Sequence, residues 1–168
     1  MCNNKEDFFA MKTVILSLGS NLGDRHCYLE HAKNELMLFI SDVKASRVIE
    51  TLPMYVTNQP SFLNQVVIGQ TTLDPFDLLA KTKHLQKKIG RVKTIEKGPR
   101  EIDIDILYMG TLVVNTPELI IPHPGIFERL FVLEPLCELT PHWICPLSGK
   151  SAREMLGALL GKNEEGGV

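Results

Sequence analysis

Residues Gly98–Leu107 read GPREIDIDIL. Ile102, Ile104 and Ile106 alternate with Asp103 and Asp105, the period-two pattern of a β-strand. Successive strand side chains point to opposite faces, so the isoleucines share one face and both aspartates the other. The two carboxylates then stand roughly 7 Å apart at Cα. Such a pair repels itself and resists burial unless positive charge lies beside it. Two readings are open from the residues alone: a divalent-cation site, or the solvent-facing side of an edge strand.

Working outward from this strand, the other elements fall into a short order. Thr13–Leu18 (TVILSL) is an apolar run that ends in Gly-Ser-Asn and reads as a buried strand. Asp24 is placed to cap a helix over about residues 25–40, with Leu29, Ala32, Leu36 and Phe39 as its apolar stripe. Val43–Glu50 and Phe62–Thr72 read as strands joined by a long loop with two prolines. Asp74-Pro75 opens a second helix, which Gly90 closes. Thr111–Val114 suggests a hairpin arm, and Ser151 with Glu154 fits a capping box for a last helix near residues 152–160. The order β-α-β-β-α-β predicts a ferredoxin-like α+β domain, with an antiparallel sheet and helices on one face.

Composition narrows the class. The chain has 168 residues and a formal net charge of −2, which fits one domain with no basic excess for a nucleic-acid partner. No apolar run reaches the roughly 18 residues of a membrane span. Met1–Phe9 is polar and acidic and lacks the apolar core of a signal peptide. The expected organisation is a flexible extension over 1–10, a single domain over 11–161 and a disordered tail over 162–168. Cys2, Cys27, Cys137 and Cys145 form no CxxC pair, which points to reduced thiols and a cytoplasmic protein. No membrane partner is expected, and a monomer is.

Three clusters could carry chemistry. Asp103 and Asp105 suit Mg²⁺, which takes one or two carboxylates and completes its shell with water and phosphate oxygens. Arg91, Lys93, Lys97 and Arg100, with His123 and Arg129 further on, form a cationic set beside them. Arginine forks match phosphate oxygens, although a solvated basic loop has the same composition. Phe62 and Asn64 share a strand face at the exit of the loop that holds Thr51, Pro53 and Met54. An aromatic face beside an amide suits a flat, hydrogen-bonding heterocycle, and also an ordinary sheet face. Ser148–Ser151 (SGKS) ends like a phosphate-binding loop, but its first glycine would have to be Ile144.

Taken together, LSLGSNLGDR (16–25), QPSFLN (59–64), GPREIDIDIL (98–107) and IPHPGIFERLFVLEPL (121–136) resemble the 6-hydroxymethyl-7,8-dihydropterin pyrophosphokinases of folate biosynthesis. The resemblance covers about residues 12–160 with the blocks in order. It implies a ferredoxin-like α-β-α sandwich and transfer of pyrophosphate from ATP to the pterin hydroxymethyl group, with release of AMP. It further implies two Mg²⁺ ions on Asp103 and Asp105. Nucleotide contacts would come from Arg91, Lys93, Lys97, Arg100, Ile106, His123 and Arg129, with Arg91 and Arg100 catalytic alongside the aspartates. The pterin would lie between Phe62 and Phe131, with Asn64 at its edge and Thr51, Pro53 and Met54 around it. The chain departs from the usual family pattern at Glu96 and Lys97, where members often carry a basic residue and an aromatic. It departs again at Gln86, often glutamate, and at Glu118, where some members have arginine.

Overall fold

The apolar run that ends at Leu18 becomes the centre of a sheet. β1 (Lys12–Ser20) pairs antiparallel with β4 (Phe62–Thr71) on one side and β5 (Asp103–Met109) on the other. The structure, a computed structural model, describes residues 10–92 and 95–165. β2 (Ser41–Ala45) lies outside β4, giving the order β2-β4-β1-β5, and β3 (Ile49–Thr51) pairs with β4 further along. α1 (Arg25–Leu36) and α2 (Pro75–Ile89) make the two crossovers, as the element order predicts. Both start where a carboxylate can cap them. Asp24 accepts from the Cys27 amide, and Asp74 accepts from the amides of Phe76 and Asp77. α2 ends at Gly90, whose φ of 113° is open to glycine at little cost.

The expected strand Val43–Glu50 is two strands. Ala45 faces Val67 and Ile49 faces Asn64, so four residues on the outer strand span three on β4. Ser46 fills the break: its amide donates to the Val66 carbonyl at 2.9 Å, and its Oγ accepts from the Val66 amide at 3.0 Å. A second irregularity interrupts the Ile/Asp alternation. Ile15 faces Tyr108 while Leu16 faces Ile106, so β5 carries one extra residue at Leu107. Ile102, Ile104 and Ile106 enter the core beneath α1 and α2, with Val14, Leu16, Leu18, Leu36, Leu78 and Leu85. Past the bulge, Leu107 and Tyr108 both enter the core on the opposite face.

That opposite face corrects the expectation of helices on one side only. α3 (Leu130–Leu139) and α4 (Ala152–Glu165) pack there over Ile15, Val66, Leu107 and Tyr108, so the domain is an α-β-α sandwich. α3 is absent from the element order read off the sequence. Its near-continuous apolar run carries no 3.6-residue stripe, and Pro135 inside it removes a helix hydrogen bond. α4 begins at the expected capping box, with the Ser151 amide donating to Glu154 at 2.7 Å and the Glu154 amide donating to Ser151 Oγ at 3.2 Å. It then runs to Glu165 rather than stopping near 160. Gly161 does not adopt the left-handed conformation that ends a helix, so the backbone continues through it. The tail expected from residue 162 is therefore helical through 165, and residues 166–168, like 1–9, lie outside the described residues. β6 (Val114–Asn115) and β7 (Ile120–Ile121) form a small hairpin.

Candidate active site

α3 and α4 cover only part of the second sheet face. The rest lies open, and its floor is set by strand register. Asn64, Gly19 and Asp103 form one row across β4, β1 and β5; Val66, Ser17 and Asp105 form the next. The central strand therefore contributes only a hydroxymethyl group and a hydrogen. A Cβ on Gly19 would stand 3.5 Å from Asn64 Oδ1 and 3.9 Å from the Phe62 ring, so a larger side chain would grow into the space between them. Over this floor lies a cavity of about 1010 Å³. Its walls are the loop after β3, the end of α2, the segment before β5, and the 3₁₀ turn Pro124–Glu128 with the start of α3.

The two aspartates are held differently. Asp103 sits between two guanidinium groups, with Arg91 Nη1 at 2.7 Å from Oδ1 and Arg100 Nη1 at 2.8 Å from Oδ2. Gln86 fixes the first of these arginines. Its Oε1 accepts from Arg91 Nη1 and from the Ile104 amide at 3.2 Å. The Asp105 carboxylate makes no hydrogen bond or ion pair among the described residues. Burial pushes its carboxyl up to about 7, the Asp103 charge adds to this, and Arg129, Arg100 and Arg91 pull the other way. A carboxylate in that state gains most from an added cation. No third His, Cys, Asp or Glu joins the pair to make a cation cage among the described residues. Two carboxylate oxygen donors with the rest of the shell left open fit Mg²⁺ arriving with a polyphosphate, not a protein-enclosed ion.

His123 caps the 3₁₀ turn, its Nδ1 accepting from the Gly125 amide at 3.0 Å. Burial, then the Arg129 charge, lowers its pKa, so the ring is neutral near pH 7 with its proton on Nε2. Arg129 folds across Gly125, where a Cβ would come within 2.5 Å of the guanidinium. It also lies 5.5 Å from the Tyr55 ring centre and 5.8 Å from that of Phe131. Arg100 stands 5.5 Å over the Phe62 ring. Asn64 donates from Nδ2 to Thr51 Oγ1 at 2.7 Å, which leaves Oδ1 turned toward Gly19 and the cavity.

The cavity thus brings together Thr51, Met54, Phe62, Asn64, Arg91, Lys97, Arg100, Asp103, Asp105, His123, Arg129 and Phe131. Pro53 does not line it. Ile106 borders it, but its side chain belongs to the core under α1 and α2. Lys93 lies outside the described residues. Glu118 and Gln86 both line the wall. Tyr55 is a residue that sequence reasoning passes over. Its ring carries Lys97 Nζ at 4.1 Å on one contact and Arg129 on another, and its hydroxyl bonds Glu128 Oε1 at 2.9 Å. No spacing rule marks an aromatic in a ten-residue loop.

The sequence model of the family described as 7,8-dihydro-6-hydroxymethylpterin-pyrophosphokinase (HPPK) matches residues 15–141. The chain belongs to the HPPK family. It is 42% identical over 144 residues to the 2-amino-4-hydroxy-6-hydroxymethyldihydropteridine pyrophosphokinase of Aquifex aeolicus, covering 86% of this chain and 90% of that protein. It is 43% identical over 141 residues to a folic acid synthesis protein of Pneumocystis carinii, covering 83% of this chain but only 19% of that longer protein. A crystal structure of wild-type Plasmodium falciparum HPPK-DHPS shares the fold at a TM-score of 0.76 and 14% identity, over 94% of this chain and 46% of that one. HPPK membership makes the chain a pyrophosphokinase, an ATP-dependent diphosphotransferase. α4 lies beyond the matched segment. No helix among the described residues is long and apolar enough to cross a membrane.

Proposed function

We propose that this chain transfers pyrophosphate from ATP to the hydroxymethyl group of 6-hydroxymethyl-7,8-dihydropterin, in a Mg²⁺-dependent reaction that releases AMP. One observation carries the reading. On a single open sheet face, a carboxylate pair flanked by two arginines stands beside an aromatic and amide wall, Phe62 with Asn64. The first half suits a polyphosphate and the second a flat heterocycle. In the proposed step the pterin oxygen bonds to the β-phosphorus. The bond from that phosphorus to the α,β-bridging oxygen breaks, its electron pair leaves with AMP, and the hydroxyl proton is released. Such loose phosphoryl transfers ask mainly for alignment and charge compensation.

The chain's own residues divide that work. Asp103 and Asp105 would hold two Mg²⁺ ions, which when bound supply positive charge to the phosphate oxygens. Arg91 and Arg100, now on Asp103, are within reach to turn their forks to phosphate, with Lys97, His123 and Arg129 as further donors on the nucleotide side. Phe62 and Phe131 offer ring faces to the pterin, and Asn64 Oδ1 offers an acceptor to an N–H on its edge. The test is AMP release from ATP, Mg²⁺ and the pterin alcohol. AMP should appear only with all three present and stop on chelation. AMP formation without the pterin, or none with it, would overturn the reading.

A further inference from the structure

Asn21 closes β1's exit from the sheet, and it is 1% exposed without lining the cavity. Its side chain spends its hydrogen-bonding capacity on two separate loops. Nδ2 donates to Gln59 Oε1 at 2.9 Å and to the Pro60 carbonyl at 3.0 Å. Oδ1 accepts from the Arg100 amide at 2.9 Å, and the Asn21 amide donates back to the Arg100 carbonyl at 3.1 Å. Gln59 completes the link from the other side. Its Nε2 donates to the Val56 carbonyl at 2.7 Å within its own loop and to the Lys97 carbonyl at 3.0 Å in the other. Two amides thus tie the loop over 52–61 to the segment Ile95–Arg100 at two points. Arg100 departs from that tied backbone toward Asp103 and over the Phe62 ring.

We propose that Asn21 and Gln59 are positioning residues that act as one unit. They register the heterocycle-side loop against the phosphate-side segment, and so fix where the Arg100 guanidinium stands between the carboxylate pair and Phe62. The inference deepens the proposed function and, for its catalytic part, rests on it. A buried amide satisfied by both loops is a two-ended constraint, since releasing either end leaves a polar group unpaired. Loosening the 52–61 loop therefore loosens Ile95–Arg100, although no covalent path joins them nearby.

The structural arm of the test needs no substrate. Gln59 is half-buried, so Gln59→Ala should fold; hydrogen exchange at the Gly98 and Arg100 amides should then quicken roughly tenfold, the loss of about one net hydrogen bond. Amides of β4 residues 63–71 should be unchanged. The catalytic arm compares Gln59→Ala, Asn21→Ala and the double variant by AMP release. Each single change should lower kcat roughly tenfold or more, and the double variant should lose no more than the worse single one, because the pair is one unit. If Asn21→Ala does not fold, the exchange result and the kcat of Gln59→Ala decide alone. Unchanged exchange at Gly98 and Arg100, or losses that multiply, would overturn the relay. Absence of turnover in the unaltered protein would sink the proposed function instead, and the exchange result would still decide the linkage.

Discussion

Asp103 and Asp105 differ by two positions and by the charge around them. Asp103 holds Arg91 and Arg100, whereas Asp105 faces the same space with its carboxyl pushed up to about 7. Removing either should lower turnover about 10²–10³-fold, the cost of losing one group that stabilises developing phosphate charge. AMP release measures this. Their effects on the metal-free fold should have opposite signs. Asp103→Ala leaves two half-buried guanidinium groups without their partner and should cost about 1–2 kcal/mol in denaturant unfolding. Asp105→Asn relieves repulsion and should stabilise. Its effect should also depend on pH. The folded carboxyl keeps its proton up to about 7, while the unfolded one loses it near the ordinary 3.8. The folded state therefore binds more protons between those values, and the Asp105 contribution to stability falls as pH rises through that window. In Mg²⁺-free buffer the melting advantage of Asp105→Asn should be larger at pH 8 than at pH 5; an equal advantage at both would mean that Asp105 titrates normally.

Elements turn these residues into a site by where strands and helices stop. Phe62 opens β4, while Phe131 lies in the first turn of α3 and packs against the core under α3 and α4. Phe62→Ala and Phe131→Ala should each weaken pterin binding by about 1–3 kcal/mol in calorimetry, by analogy with bases stacked on aromatics. Only Phe131→Ala should also lower the melting temperature appreciably, because only that ring is part of a core. β1, α1, β4, α2 and β5 were legible because their signals are local: alternation, capping carboxylates, and a closing glycine. The break at Ser46 and the bulge at Leu107 depend on a neighbouring strand's register, which no single segment contains. α3 offered an apolar run with a proline, a pattern shared by strands and buried helices. In the site, charged residues on an otherwise apolar strand were conspicuous, so Asp103 and Asp105 stood out, and Arg100 stood out as a cation just before them. Tyr55 did not, and Asn21 and Gln59, although inside two of the quoted blocks, carried no legible role, since a loop's contacts follow from where its ends are held and not from any spacing along the chain.

At the scale of the whole molecule, the two faces of the sheet are covered unequally. α1 and α2 bury one face, and α3 with α4 bury only the half of the other that holds Ile15, Val66, Leu107 and Tyr108. The uncovered half, floored by Gly19 and Ser17, is the cavity. Stability and chemistry therefore share a sheet face but occupy different ends of it, with α3 at the border. α4 gives the cleanest separation. Met155 is 5% exposed in that second core, beside Cys145 and Ala152, and among the described residues none of α4 lines the cavity. Met155→Ala removes buried volume from a layer that can only partly collapse, at about 2–5 kcal/mol. For a domain of this size that is roughly 4–20 °C in Tm. At a temperature where the variant stays folded, its KM values and kcat should match those of the unaltered protein, because α4 lies at the other end of the sheet face from the cavity floor, which remains anchored by the pairing of β1, β4 and β5. Differential scanning calorimetry and the AMP-release assay on the same preparation would check both halves. A matching loss of kcat in fully folded Met155→Ala would mean that the second layer sets the geometry of the carboxylate strand, and the two ends of the face could no longer be treated as separate.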